Sequence, residues 1–249
     1  MRPNFATVAA TFGIAAMTAS MVQAADASTV QQRATNAYLR GDASALQSLA
    51  SEAAAWRESG NRDERYAAAY VQFRRAQLAV AAGNKRQLRE AGDRCVAASE
   101  AAIQADNQYA EAHALQAACY GYLATLGGFG AISSGRKSGK AMDAAIAIAP
   151  ANPRVILVDG IGLGFRPRIA GGDKAKAYQR SREAAAAFGS GHKSTTNGPD
   201  WGAPEAWYWV GRGAEDAGDF AAARKAYEQA LALASDFAAA RKRLATLAN

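Results

Sequence analysis

Two strings in this chain of 249 residues have the spacing of nucleotide sites. Val155-Ile156-Leu157-Val158-Asp159 runs into Gly160-Ile161-Gly162-Leu163-Gly164, as a strand runs into a dinucleotide-binding turn. That turn needs a further glycine at position 165, which is Phe165. Gly130-Ala131-Ile132-Ser133-Ser134-Gly135, followed by Arg136-Lys137-Ser138, imitates a phosphate-binding loop. One extra residue moves its lysine off the required position and no strand precedes it, so it reads as a Gly/Ser insertion. Ser134 and Lys137 also match a Ser-x-x-Lys acylation motif, but the accompanying Ser-Asp-Asn is missing and Lys193-Ser194-Thr195 is not Lys-Thr-Gly. His113 reads as a packing residue, and His192 has no paired His or Cys nearby. Cys119 and His113 lie six apart and face different sides of a helix, a poor nucleophile–base pair. Glu215-Asp216 reads as a solvated helix end. The chain is therefore read as non-enzymatic, with no catalytic residues, no metal and no cofactor.

The elements that carry these residues follow from composition. Half the chain is hydrophobic but only 8% aromatic, and alanine dominates while β-branched residues are sparse. This excludes a disordered chain and disfavours β-sandwiches and barrels. Residues 1–24 have the design of a secretory signal peptide: Arg2, an uncharged apolar run from Phe5 to Ala19, and Val22-Gln23-Ala24 before the cleavage point. The run is shorter than the roughly 20 residues that cross a bilayer. No cysteine stands at the cleavage site, so a lipoprotein is not expected. The expectation is a soluble protein secreted across the inner membrane into the periplasm of a Gram-negative host, with no membrane span. Export also argues against a nucleic-acid role for the net charge of +7. Its clusters, such as Lys85-Arg86-Arg89 and Arg136-Lys137-Lys140, read chiefly as solubility and helix pairing, with a lesser share for weak attraction to an anionic membrane or acidic partner.

Helical periodicity covers the rest. The expected helices are 28–39, 42–56, 62–82, 85–105, 109–126, 139–149, 153–162, 173–188, 204–217, 219–234 and 236–248, broken by Gly, Asn, Asp or Pro. Cys95 and Cys119 stand 12 residues to either side of Asn107, at similar heights on an antiparallel helix pair. A disulfide is geometrically open, and two buried free thiols are the alternative.

The helices come in pairs and the pairs repeat. In the last, Trp207, Val210 and Gly211 precede Gly218, Phe220, Ala223, Tyr227 and Ala230. Gly211 and Ala223 suit a close approach of helix backbones, with the aromatics filling the space beside it. This pattern resembles the tetratricopeptide repeat, and most of residues 25–249 share the resemblance as one domain. The clearest copies are 109–150, 153–188 and 204–235, with residues 236–249 as a cap. Equivalent large positions, Tyr70, His113, Ile156 and Trp207, are 43, 43 and 51 residues apart, against a usual period of about 34. Insertions at 127–138, 165–171 and 189–203 account for the difference. More narrowly, Asn152-Pro153-Arg154, Pro167 with Gly171-Gly172, and Pro199-Asp200-Trp201-Gly202 are similar to a group of exported bacterial tetratricopeptide proteins.

The resemblance implies an all-α, right-handed α-solenoid of about four to five helix pairs with a C-terminal capping helix. It implies a protein or peptide partner, held on the concave surface of the first helices. The family's register places Arg75, Tyr122, Arg154, Leu157, Phe165, Tyr208 and Arg212 in that groove, a mixture that suits an extended peptide bearing carboxylates. Trp201 and its loop either fold over the groove or cover the edge of the last hairpin. A second expectation is a small-ligand or assembly component of a periplasmic transport system, with the oligomeric state left open.

Overall fold

In the computed structural model, residues 26–190 and 199–247 are described; residues 1–24, with the expected signal sequence, and His192 lie outside them. The helices are α1 (Ala27–Arg40), α2 (Ala43–Glu52), α3 (Trp56–Ser59), α4 (Arg62–Ala81), α5 (Lys85–Ala105), α6 (Ala110–Ala124) and α7 (Phe129–Ile148). They continue with α8 (Pro153–Phe165), a 3-10 turn at Arg168–Ala170, α9 (Lys174–Gly189), α10 (Ala203–Asp216), α11 (Phe220–Leu233) and α12 (Ala238–Thr246). No strand occurs among the described residues.

Side-chain caps set many of the starts. Asp26, Asp42, Asn84 and Asp219 each accept from a backbone N–H of the first turn, and Asn61 with Glu64 makes a full capping box on α4. Pro153 opens α8, where a missing N–H costs nothing. Gly41 ends α1 in the left-handed conformation, at φ 73°, and turns the chain at once into the Asp42 cap.

Packing pairs α1 with α2, α4 with α5, α6 with α7, α8 with α9 and α10 with α11, and successive pairs stack through α1–α4, α5–α6, α6–α8 and α9–α10 contacts. The result is an all-α solenoid of helical hairpins, as the repeat pattern implies, with α12 laid over α11. Alanine makes this possible. Ala67, Ala69, Ala76, Ala98, Ala102, Ala112 and Ala145 are buried at contacts between helices. The disulfide forms: Cys95 of α5 and Cys119 of α6 are joined across neighbouring hairpins, with Cα atoms 6.1 Å apart.

Two expectations need correction. Residues 129–138 are not a loop; they are the first half of α7, which begins ten residues earlier than the expected start. Gly130, Gly135 and Gly139 lower its propensity, but pairing with α6 overrides this, and Ser138 donates across the pair to the Ala117 carbonyl at 2.8 Å. The imitation phosphate loop is thus an ordinary helix. Gly211 is small for a different reason than a backbone approach: a Cβ there would press into the Tyr227 ring.

The solenoid also closes on itself. Helix α1 meets α12, with the Tyr38 and Phe237 rings 6.3 Å apart and Arg40 3.7 Å from Asp236.

Candidate functional site

Closure makes α4 the centre of the molecule. Helix α4 is buried almost all round, which is the reading for a helix without a polar face. Tyr66, Tyr70, Phe73 and Arg74 lie on the side turned to the concave face. Arg74 is 1% exposed and pairs with Glu205 of α10, itself 3% exposed, across 131 residues of sequence. The Arg74 guanidinium also donates to the Tyr70 hydroxyl at 2.8 Å and to Gln77 at 2.8 Å. It lies over the rings of Tyr38 at 4.2 Å and Trp201 at 5.2 Å. Thr35 of α1 joins through a 2.7 Å hydrogen bond between its hydroxyl and that of Tyr70.

Trp201 occupies the middle of the concave face and is 6% exposed. Its indole N–H donates to the Tyr66 hydroxyl at 2.9 Å. Its ring packs against Tyr70 at 5.5 Å and Phe73 at 5.9 Å. Of the two placements open to its loop, the structure takes the one inside the groove. Gly202 follows at φ 113°, a conformation only glycine adopts readily, and this turns the chain from the buried indole into α10.

The electrostatics of this centre follow from burial. Burial pushes the Tyr38 and Tyr66 hydroxyls well above the ordinary tyrosine range, and pushes Tyr70 and Tyr122 up to about 12. Burial opposes the Arg74 charge, but Tyr70 and Glu205 beside it more than offset this and raise its pKa above the ordinary value. The core is a phenol-rich cage around the Arg74–Glu205 ion pair.

The seven residues expected in the groove fare differently. Arg154 and Leu157 are buried, with the Arg154 guanidinium 5.6 Å from the Phe188 ring and 5.9 Å from that of Trp201. Tyr122 is half-buried beside Phe73, with ring centres 5.9 Å apart. Arg75 is occupied by Gln72, Gln47 and Glu90. Phe165, Tyr208 and Arg212 are brought together at the C-terminal end, around Trp209. Phe165 meets Trp209 edge-on at 5.6 Å, Tyr208 meets it at 5.4 Å, and the Arg212 guanidinium sits 5.9 Å from its ring. Phe165 is 64% exposed and Arg212 is half-buried, with Glu215 at 3.7 Å.

Sequence reasoning missed Arg74 and Trp209 and left Trp201 open; the repeat register puts Glu205 on the concave face but not against Arg74. One signal for Arg74 was present: it continues the i, i+4 row of Tyr66 and Tyr70, which puts it on their face of an alanine-rich helix. His113 is not a core residue; it is half-buried and its Nε2 lies 3.1 Å from the Asn107 carbonyl oxygen. Asp159 of the imitation dinucleotide string is held by Arg180 at 2.9 Å within the α8–α9 hairpin. Among the described residues no group of three or more His, Cys, Asp or Glu is placed to hold a metal ion. No helix among them is long and apolar enough to cross a membrane.

This architecture is that of a helical-repeat solenoid, and comparison with known proteins agrees at the level of fold. Residues 204–237 match the tetratricopeptide repeat family. No curated protein sequence matches the chain. Among solved structures, the HusA haemophore from Porphyromonas gingivalis is similar, with a TM-score of 0.55 and 18% identity over 75% of this chain and 94% of that one. A thermophilic tetratricopeptide protein of Thermus thermophilus is similar with a TM-score of 0.54 and 14% identity, over 87% of this chain and 98% of that one. Residues 204–237 are thus a tetratricopeptide repeat, set in an all-α, tetratricopeptide-like solenoid. Such repeats generally mediate contacts between proteins, and typically without catalysis.

Proposed function

We propose that the protein is an exported, non-enzymatic interaction module that takes a protein or peptide segment at the C-terminal end of its concave face. The observation that carries this reading is the cluster of Phe165, Tyr208, Trp209 and Arg212 on α8 and α10, in which Phe165 is exposed and the other three are partly so, while Trp201 fills the centre. Aromatic rings with an adjacent arginine are the residue types that dominate binding energy at protein interfaces. The matching segment carries an apolar anchor next to a carboxylate, the first for the Phe165–Trp209 angle and the second for Arg212. Export rests on the pattern of residues 1–24, and the Cys95–Cys119 disulfide supports it, since such bonds persist in oxidising compartments.

Selection of displayed random peptides on the purified protein tests this reading. The expected winners combine an aromatic or large aliphatic residue with a nearby Asp, Glu or C-terminal carboxylate. Arg212→Glu should weaken them by roughly 100-fold, as for a charge-assisted contact reversed in sign. Winners indifferent to both Arg212→Glu and Trp209→Ala would refute the assignment. The small-ligand role in transport is the competing outcome. Because a protein of this fold is a haemophore, haemin is the probe: saturable binding that Arg212→Glu leaves unchanged would favour that role.

A further inference from the structure

The hairpin turns divide the solenoid into two unlike edges. Turns within a hairpin, at residues 41–42, 82–84, 125–128, 166–173 and 217–219, fall on one edge. Contacts between neighbours join them: Leu126 shares a cleft with Lys85, Arg86, Arg89, Glu90 and Asp93, Phe165 meets Trp209, and Lys174 pairs with Asp216 at 3.0 Å.

This edge gathers the exposed large apolar side chains of the described residues. Phe129 is 102% exposed, Ile169 100%, Ile132 65% and Phe220 60%, and only Leu233 stands clear of this edge. Phe129 and Ile132, one helical turn apart, head α7, and Ile169 tips the turn between α8 and α9. The turns of this edge carry the helix-capping acids Asp42, Asp173 and Asp219, but Lys85, Arg86, Arg136, Arg166 and Arg168 form no ion pair among the described residues. Residues 125–140 contain Arg136, Lys137 and Lys140 and no acid. The opposite edge differs: Glu58, Asp63, Glu64 and Asp106 lie there, and Arg62 is spent on Asp63 and Asp106 at 2.9 and 3.0 Å.

Fully exposed aromatic and aliphatic tips among unpaired cations are costly in water and match a surface that is apolar below and anionic above. We propose that this edge docks on an anionic lipid bilayer, with Phe129, Ile132 and Ile169 inserted at headgroup depth and the surrounding cations on lipid phosphates. The mode is peripheral, because no described helix can span. The charge complementarity sets the orientation: the acidic edge faces away from the membrane. Phe165 adjoins Arg166 on this edge, so the Trp209 cluster lies beside the docking surface rather than apart from it.

Co-sedimentation of the purified protein with vesicles tests this. Vesicles of phosphatidylcholine mixed with phosphatidylglycerol should carry the protein down at least ten-fold better than phosphatidylcholine alone, with the preference falling as salt rises. Phe129→Ser with Ile169→Ser should reduce partitioning by ten-fold or more. Both side chains lie wholly in solvent, so melting temperature and circular dichroism should be unchanged. Arg136→Ala and Arg168→Ala should each cost roughly five-fold. Equal recovery on both vesicle types, or partitioning untouched by the Phe129/Ile169 pair, overturns the proposal. So does self-association in the absence of lipid that the same pair abolishes, which would assign the edge to a second copy of the chain.

Discussion

Replacing Glu205 by Gln keeps its shape and removes its charge, leaving Arg74 as an uncompensated cation in the centre of the fold. The two side chains are 1% and 4% exposed, so water cannot take over the lost role. At hydrogen-bonding range their attraction is worth about 4 kcal/mol with the effective dielectric that suits protein pairs. The glutamine oxygen can still accept one hydrogen bond from Arg74, which returns about 1 kcal/mol. The expected loss is therefore about 3 kcal/mol, the range for breaking one partner of a buried pair. For a chain of this size it corresponds to a fall in melting temperature of roughly 6–12 °C. Removing both charges together should behave differently. Arg74→Met with Glu205→Leu leaves no orphan ion, and methionine suits the surrounding rings of Tyr38, Tyr70, Phe73 and Trp201. That double variant should lie within about 1 kcal/mol of the parent. Urea unfolding followed by circular dichroism gives the energies of Glu205→Gln, of the double variant and of its singles Arg74→Met and Glu205→Leu. A Glu205→Gln cost below about 1 kcal/mol, or a double variant as damaged as the sum of its singles, would refute the account of the pair as a buried, compensated weld.

Three further outcomes are expected. Trp201→Ala should cost about 3–5 kcal/mol, the range for emptying a buried aromatic site, and should make the concave centre bind a hydrophobic dye in thermal and fluorescence titrations; a silent substitution would show that the indole does not fill the groove. Reducing the Cys95–Cys119 bond, or Cys95→Ser with Cys119→Ser, should lower stability by about 3 kcal/mol, since the bond closes a loop of 24 residues; denaturant midpoints with and without reductant measure it. Tyr70 and Tyr122 hold their protons more tightly folded, at about 12, than at the ordinary 10.0. Their contribution is complete below pH 10 and is lost as pH rises from there towards 12, so stability followed across alkaline pH should fall in that window, and a flat profile would contradict the burial of these phenols.

Local chemistry in the chain was legible where it acts locally. The span of α5 reads directly from its Asn84 cap and its periodicity, and the Gly-Asp pairs at 41–42 and 218–219 mark two hairpin turns. The first half of α7 was not legible, because glycine and serine lower helix propensity while the compensating contact comes from α6. The content of the concave face was legible as residue types, but its filling was not. Trp201 and Tyr66 are 135 residues apart, and Arg74 and Glu205 are 131. A repeat register assumes that each hairpin touches only its neighbours, and it carries no information about the far end of the array. Choosing Arg75 rather than Arg74 shows the scale of that blindness: one residue is about 100° around a helix, enough to exchange a surface arginine for a central one.

Open solenoids can gain or lose hairpins by duplication, because every new unit meets the same neighbour as the last. The contacts of Tyr38 with Phe237 and of Arg74 with Glu205 remove that freedom here. An added hairpin would carry α10 and α12 past α1 and α4, and a deleted one would leave them short. The array has acquired a circumference, and evolutionary change in this lineage is expected as substitution and turn-length variation at constant repeat number.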